Sequence, residues 1–301
     1  MADTQTGARE ELSEPELISG LARITGRARV VVIGNEKGGT GKSTTAMHLI
    51  VGAMREGARV ASIDLDSGQA SLTRYIANRQ AFAEEHGVSL VTPEHHRIVL
   101  SDTDSRADAA KEDITRLSDE LMRLSTDHDV VFVDCPAGDA VVSRGAIAFA
   151  DTLVTPVNDS FIDLDLLVRL EGEPPQQKGP SRFSETVWEQ RKVRARSGGK
   201  SIDWVVLRNR IASLSSRNQV SVAAILDDLS RNIGFRIADG FGERVVYREL
   251  FVQGLTVLDL RDAGSGVTLS MSHIAARQEV RRLLDFIGLA GESEQTSLAA
   301  S

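Results

Sequence analysis

Residues 34–44 read Gly-Asn-Glu-Lys-Gly-Gly-Thr-Gly-Lys-Ser-Thr, a run built to hold phosphate. Gly38, Gly39 and Gly41 lack a Cβ, so the backbone N–H groups around Thr40 can turn inward on phosphate oxygens. Lys42 is placed to reach β- and γ-phosphates, the Ser43 hydroxyl to ligate Mg2+, and Thr44 to meet an α-phosphate. The ordinary phosphate-loop pattern, G-x-x-x-x-G-K-[ST], fails at its first position, where Glu36 stands for glycine. What is matched in full, from Lys37 to Ser43, is K-G-G-x-G-K-[ST]. The bland alternative is a glycine-rich turn with no ligand. An apolar run before the loop and a helical pattern after it argue against that.

Three carboxylates follow. Val60-Ala61-Ser62-Ile63-Asp64-Leu65-Asp66 ends in two aspartates that an extended chain points to the same side. Asp64 suits a metal-bound water and Asp66 an attacking water. Asp134 ends the apolar run 130–133 and precedes Cys135-Pro136-Ala137-Gly138. One aspartate at a strand end is readily a turn cap. Three at the ends of two strands that follow a phosphate loop point to a ligand site, because ligands gather at the carboxyl ends of parallel strands. Asn209 and Arg210 follow the run 204–207. An amide there can offer a donor and an acceptor to a base edge; a loop cap is an equally good reading of the residues alone.

These residues need a frame. Runs 30–33, 130–133, 152–157 and 204–207 are continuous and apolar, as strands buried on both faces are, and 59–63 reads as a further strand. Residues 42–55 carry Ala46, Leu49, Ile50, Ala53 and Met54 on one helical stripe that Gly57 ends. Residues 107–126 place Ile114, Leu117, Leu121 and Leu124 at helical spacing, and 139–148, 162–170, 220–231 and 271–287 also read as helices. The alternation predicts an α/β fold, a mostly parallel sheet with helices on both faces. Residues 171–180, rich in Pro, Gly and Gln, form the clearest break. The expected division is a flexible polar extension over 1–27, one domain over 28–289, and a frayed tail over 290–301. In the extension, Ser13 and Glu16 have capping-box spacing for a short helix over 14–24 that Gly20 weakens. A second full domain is not expected in 301 residues.

A single cysteine, Cys135, excludes an intrachain disulfide and a cysteine-rich cluster, and suits the cytoplasm. Residues 1–7 are polar, so no signal peptide is expected, and no stretch approaches the roughly 18 apolar residues of a membrane span. The net charge is −8, but residues 181–282 carry 17 Lys/Arg against 11 Asp/Glu, a net of +6, leaving −14 on the rest. That asymmetry permits an anionic partner, although a solvated face is the simpler account.

The loop from Lys37 to Ser43 resembles that of the deviant Walker ATPases, a branch of the P-loop NTPase fold. The resemblance implies ATP and Mg2+ as ligands. It places Lys37, Lys42 and Asp66 in catalysis, and Gly38, Gly39, Thr40, Gly41, Lys42, Ser43, Thr44, Asn209 and Arg210 on the nucleotide. It assigns Ser43, Asp64 and Asp134 to the metal, and implies that Gly138 senses the γ-phosphate. It also implies that Lys37 crosses a dimer interface to neutralise charge on the partner's nucleotide, much as an arginine finger does.

Four further segments resemble the MipZ division-site regulators, relatives of the ParA partition ATPases. They are Asn158-Asp159-Ser160-Phe161, Thr186-Val187-Trp188-Glu189, the stretch from Asp203 through Trp204 to Arg210, and Tyr247-Arg248-Glu249-Leu250-Phe251. This narrower resemblance implies an ATP-dependent homodimer that is recruited by ParB, binds nonspecific DNA and inhibits FtsZ polymerisation, in the cytoplasm at nucleoid and pole. Arg194, Arg196, Arg217, Arg231 and Arg236 are the candidate DNA contacts; such arginines grip phosphates and lose affinity with salt. Two alternatives are a ParA-type DNA-segregation ATPase and a MinD-like membrane-cycling ATPase. For the latter, residues 271–287 offer Ile274, Val280, Leu283, Leu284 and Ile287 to a membrane, but Glu279, Asp285 and Glu292 oppose anionic lipid. Packing on the core, with no stable membrane anchor, is the expectation.

Overall fold

The computed structural model describes residues 14–23, 28–172, 176–212, 217–261 and 270–291. Strand β1 (Arg29–Ile33) shows how the frame is built. Its side chains alternate between two cores, Val30 and Val32 on one face and Val31 and Ile33 on the other, so both faces need apolar residues. The same logic makes continuous buried strands of β2 (Val60–Asp64) and β4 (Val130–Asp134). With β3 (Glu94–Arg97), β5 (Thr152–Asn158), β8 (Asp203–Ile211) and β9 (Arg236–Gly242) they form a seven-stranded sheet, ordered β3-β2-β4-β1-β5-β8-β9. Every neighbouring pair is parallel. Strands β6 (Val168–Glu171) and β7 (Gln176–Pro180) make a separate antiparallel pair.

Helices α1 (Glu14–Arg23), α4 (Arg106–Asp127), α5 (Val141–Phe149), α7 (Arg182–Arg196) and α8 (Arg217–Leu229) bury apolar residues against one face. Helices α2 (Lys42–Arg55), α3 (Ser71–His86), α9 (Val246–Gln253) and α10 (Met271–Phe286) cover the other. The short α6 (Phe161–Leu164) follows β5. Ile114, Leu117, Leu121 and Leu124 form the buried stripe of α4 that their spacing predicts. Each such leucine removed from water contributes on the order of 2 kcal/mol.

Register positions the site. Ile33 lies opposite Asp134, and Asp134 opposite Asp64. The ends of β1, β4 and β2 are therefore level, and the loop leaving β1 rises beside two aspartates.

The structure departs from the sequence reading at several places. Over Glu14–Arg23 the expected extension is instead part of the packed unit: Leu17 is 1% exposed, and α1 lies on α4, α5 and α7. Gly20, expected to weaken this helix, admits the Phe149 ring; a Cβ there would lie 2.9 Å from Cζ. Ser13 and the tail beyond 291 lie outside the described residues. The helix expected over 162–170 ends at Leu164, and β6 follows. The Pro/Gly-rich break contains β7, whose Pro180 stands at the strand end, where a missing N–H is tolerated. Strands β3 and β9 and helices α3, α7 and α9 have no counterpart in the periodicity reading. Helix α10 keeps to the core as expected: Val280, Leu283 and Leu284 are buried, and Leu284 sits against Gly52 of α2, where any Cβ would overlap it. Among the described residues, no helix is long and apolar enough to cross a membrane.

Candidate nucleotide site

The loop after β1 is held from below. Gly34 N–H donates to the Val154 carbonyl at 3.0 Å. The buried Asn35 amide donates to the Pro156 carbonyl at 2.5 Å, and its Oδ1 accepts from Lys37 N–H at 2.6 Å. Asn35 had no distinguishing signal in the sequence, since an amide before a glycine-rich loop reads as loop composition. At the other end, Gly41 is the N-cap of α2 with φ 89°, and no side chain caps the helix. The first-turn N–H groups thus face the loop without intrahelical acceptors, as an anion site requires. The Lys42 side chain is largely buried, and its Nζ donates to the Lys37 carbonyl at 2.9 Å. Burial lowers its pKa, opposed mainly by Asp134.

Asp134 is buried beside Lys42 and Ser43. Burial pushes its carboxyl up to about 8, with the Ser43 hydrogen bond and Lys42 acting against the shift and Asp64 and Asp66 adding to it. Asp134 Oδ1 has no protein partner. A buried carboxylate with a bare oxygen, beside the Ser43 hydroxyl, fits a hydrated divalent cation. Among the described residues no three His, Cys, Asp or Glu side chains converge as a ready-made metal cage. Such an ion must complete its shell with water and phosphate, the habit of Mg2+.

Asp64 is fully buried. Its Oδ1 accepts from Asp66 N–H at 2.9 Å, and its Oδ2 accepts from Thr73 N–H at 2.9 Å and the Thr73 hydroxyl at 2.8 Å. Asp66 is half-buried, and its Oδ1 accepts from Gly68 and Gln69 N–H at 3.2 and 2.8 Å. Gly138 N–H donates to the Glu36 carbonyl at 2.7 Å, tying the loop after β4 to the phosphate loop. The sequence-predicted phosphate and metal residues are thus brought together at one end of the sheet.

Two residues make contacts within this chain that the sequence did not suggest. Asn209, expected to present its amide to a base, is buried under the loop. Its Nδ2 donates to the Thr40 carbonyl at 2.7 Å and its Oδ1 accepts from Arg210 N–H at 2.9 Å, which leaves one N–H and one lone pair of the amide. A Cβ on Gly41 would overlap this amide. A base-sized cleft of about 310 Å³ is lined by Asn209 itself with Thr44, Arg210, Phe241, Arg244 and Tyr247 among others. Phe241 and Tyr247 stack there with centroids 5.5 Å apart, and the periodicity reading gave no role to either. Lys37, expected to reach a second chain, turns onto its own α6. Its Nζ donates to the Ile162 carbonyl and lies 3.3 Å from Asp163 Oδ1.

The DNA candidates differ in their surroundings. Arg194 is only 8% exposed, donating to the carbonyls of Ala148, Ala150 and Lys200 and pairing with Asp151. It ties α7 to the turn between α5 and β5, and is corrected from contact residue to structural one. Arg236 is bidentate to Asp203 at 2.7 and 2.9 Å. Arg231 is exposed 3.7 Å from Asp228, and Arg196 is exposed near the end of α7. Arg217 opens α8, its side chain outside the described residues.

The family profile described as ATPase MipZ matches residues 29–291. The chain belongs to the MipZ ATPase family. The MipZ match begins with β1 and runs past α10, taking in the whole seven-stranded sheet. A chromosome partitioning protein ParA from Myxococcus xanthus is 28% identical over 47% of this chain and 56% of its own length. A septum site-determining protein MinD from Helicobacter pylori is 30% identical over 47% and 58%. The chain therefore spans a little over half the length of these curated relatives. Among solved structures, a Cyanothece McdA–ATP complex aligns with TM-score 0.60 at 18% identity, over 87% of this chain and 97% of that one. MinD from Pyrococcus horikoshii, complexed with Mg-ADP, aligns with TM-score 0.53 at 16% identity, over 88% and 99%. The MipZ family chain thus has the fold of these McdA and MinD structures.

Proposed function

We propose that this chain is an ATP-dependent dimerising switch that positions the division site by inhibiting FtsZ assembly, its distribution set by ParB and nonspecific DNA at nucleoid and pole. The observation that carries the reading is the level placement of the Lys37–Ser43 loop beside Asp134 and Asp64, with Asp66 one turn beyond. The working unit is the packed body over 28–289 together with α1.

The chemistry follows from the positions. First-turn amides of α2 and the Lys42 ammonium grip the β- and γ-phosphates. Ser43 and the bare Asp134 oxygen hold the hydrated Mg2+, with Asp64 close by. When bound, Mg2+ would supply positive charge that offsets the charge developing on the phosphates during transfer. Tyr247, stacked on the buried Phe241, offers ring surface to the base, and Arg210 edges the same cleft. Asp66, pinned by two backbone donors, orients the attacking water. Lys37 leaves Asp163 to reach the partner's nucleotide, so two chains make one active unit. ATP then acts as a signal for assembly, and slow hydrolysis to ADP and phosphate resets it.

The test is size analysis of wild type and Asp66→Ala with ATP or ADP, followed by FtsZ pelleting. Dimer that accumulates in Asp66→Ala with ATP, and that depletes pelleted FtsZ, is the expected result. Unaltered FtsZ assembly together with transport of DNA cargo points instead to a ParA-type segregator. ATP-dependent pelleting with liposomes points to a MinD-like cycle.

A further inference from the structure

Strand β3 is Glu94-His95-His96-Arg97, an edge strand with no apolar residue. It pairs with β2 in a register that sets His95 opposite Ser62 and Arg97 opposite Asp64. Side chains two apart on a strand share a face, so His95 and Arg97 stand on the same side as Ser62 and Asp64. There His95 Nδ1 lies 2.9 Å from Ser62 Oγ, and Nε2 lies 3.0 Å from Thr73 Oγ1. Thr73 Oγ1 also lies 2.8 Å from Asp64 Oδ2.

Donor counting fixes the direction of this chain. An ionised carboxylate only accepts, so the single Thr73 hydroxyl proton goes to Asp64. Thr73 Oγ1 must then accept from His95, which places the imidazole proton on Nε2. Burial lowers the His95 pKa, against the pull of Asp64, which suits a neutral ring. Its Nδ1 is then an acceptor, and Ser62 supplies the hydroxyl proton. The result is one ordered series: Ser62 to His95, His95 to Thr73, Thr73 to Asp64. Asp64 in turn accepts the N–H of Asp66. Thr73 lies in the first turn of α3, whose N-cap, Ala70, has φ 45° and no capping side chain. Asp64 therefore serves as that helix's anionic cap, and its orientation depends on what holds Thr73. Arg97 holds the far side of the same turn, donating to the Ser67 carbonyl at 2.6 Å.

We propose that His95, acting through Thr73, is a positioning residue for the Asp64–Asp66 carboxylate pair, so that edge strand β3 sets the rate of the hydrolytic step. The inference rests on the assignment of Asp66 to water activation made above. His95 touches neither nucleotide nor metal. Its loss acts on geometry at the carboxylates and leaves the phosphate grip of Lys42 intact.

The experiment is steady-state ATP hydrolysis at fixed protein concentration, with nucleotide affinity measured separately. His95→Leu, which keeps bulk and removes both hydrogen bonds, should lower kcat about 10-fold, the effect typical of removing a partner that orients a catalytic ligand. The affinity for ATP should stay within about twofold. His95→Gln, whose amide N–H can stand in for Nε2–H, should restore most of the lost rate. His95→Leu combined with Thr73→Val should be no slower than Thr73→Val alone, since both act on one chain of contacts. An unchanged kcat in His95→Leu, equal losses in Leu and Gln, or additive losses in the double variant each overturn the proposal. If His95→Leu does not fold, Thr73→Ser against Thr73→Val asks the same question: a near-normal Ser variant beside a slow Val variant supports the relay, and equal rates refute it. Asp66→Asn is assayed in parallel. Normal turnover there removes the role on which the inference rests. Lost turnover there with a normal His95→Leu overturns the inference alone.

Discussion

Lys37 Nζ sits 3.3 Å from Asp163 Oδ1 of its own chain, with the lysine side chain 31% exposed and the aspartate 15%. A residue whose proposed task lies in a second chain is thus held at home by an ion pair at the foot of β5. Asp163→Asn keeps the shape and removes the charge. Each partly exposed pair is worth about 0.5–1 kcal/mol and a dimer releases one from each chain, so the ATP-bound dimer should tighten about 5- to 30-fold. Analytical ultracentrifugation with ATP reads this directly; an unchanged or weaker dimer argues that the pair does not restrain Lys37.

Lys37→Ala separates the lysine's two proposed settings. ATP binding to the monomer should be largely intact, because Lys42 and the first-turn amides of α2 remain. Dimerisation and turnover should both fall. Lys42→Ala should instead abolish binding in a calorimetric titration, and tight binding retained there would remove Lys42 from the phosphates.

Asn209 is predicted to act on the loop rather than on the base. Asn209→Ala strands the buried Thr40 carbonyl, at about 1–3 kcal/mol, and frees the part-buried Arg210 N–H. ATP affinity should fall about 10-fold or more, with GTP binding equally affected, since no base contact is lost. Discrimination between ATP and GTP that collapses in this variant would return the amide to base recognition. Gly41→Ala should be at least as damaging, because its φ of 89° disfavours a side chain and its Cβ meets the same amide.

The Arg79–Asp259 pair predicts an acid limit to stability. Arg79 Nη1 lies 2.7 Å from Asp259 Oδ2, with both side chains buried, and Arg55 approaches Asp259 at 2.8 Å. Burial pushes the Asp259 carboxyl up, but Arg79 and the Thr256 donors outweigh it and hold the carboxyl well below the usual carboxylate range. A carboxylate depressed in the folded state contributes stability above its unfolded pKa, and that stability is lost as pH falls below about 4. Asp259→Asn should remove this acid-dependent component. It should also cost about 3 kcal/mol at neutral pH, roughly 6–12 °C in Tm, by leaving Arg79 buried without its counter-charge. Thermal melts from pH 3 to 7 compare the two chains.

What the sequence disclosed follows what is local. The valine runs of β1 and β4 and the leucine stripe of α4 announce their elements because each is buried along a single period. Strand β3 could not be read that way: Glu-His-His-Arg pairs because β2 offers an open edge, and edge strands need little apolar surface. The phosphate loop was legible because its chemistry is contiguous. The contacts of Asn209 and Asp163 with the loop were not, since each meets it only through the sheet order that lays β5 and β8 beside β1. Arg194 misled for the reverse reason. Its basic run looks like an anion surface, yet the carbonyls of Ala148 and Ala150 draw the guanidinium inward.

Leu17 and Gly20 place α1 firmly on the α4, α5 and α7 side. A shortened protein starting at residue 28 would leave Phe149 and Ile114 facing water and should aggregate more readily than the longer chain. A tag or fluorescent fusion joined ahead of α1 would likewise be delivered to that flank, away from the α9 and α10 side of the sheet. The choice of terminus for a label thus decides which flank of the molecule it obstructs.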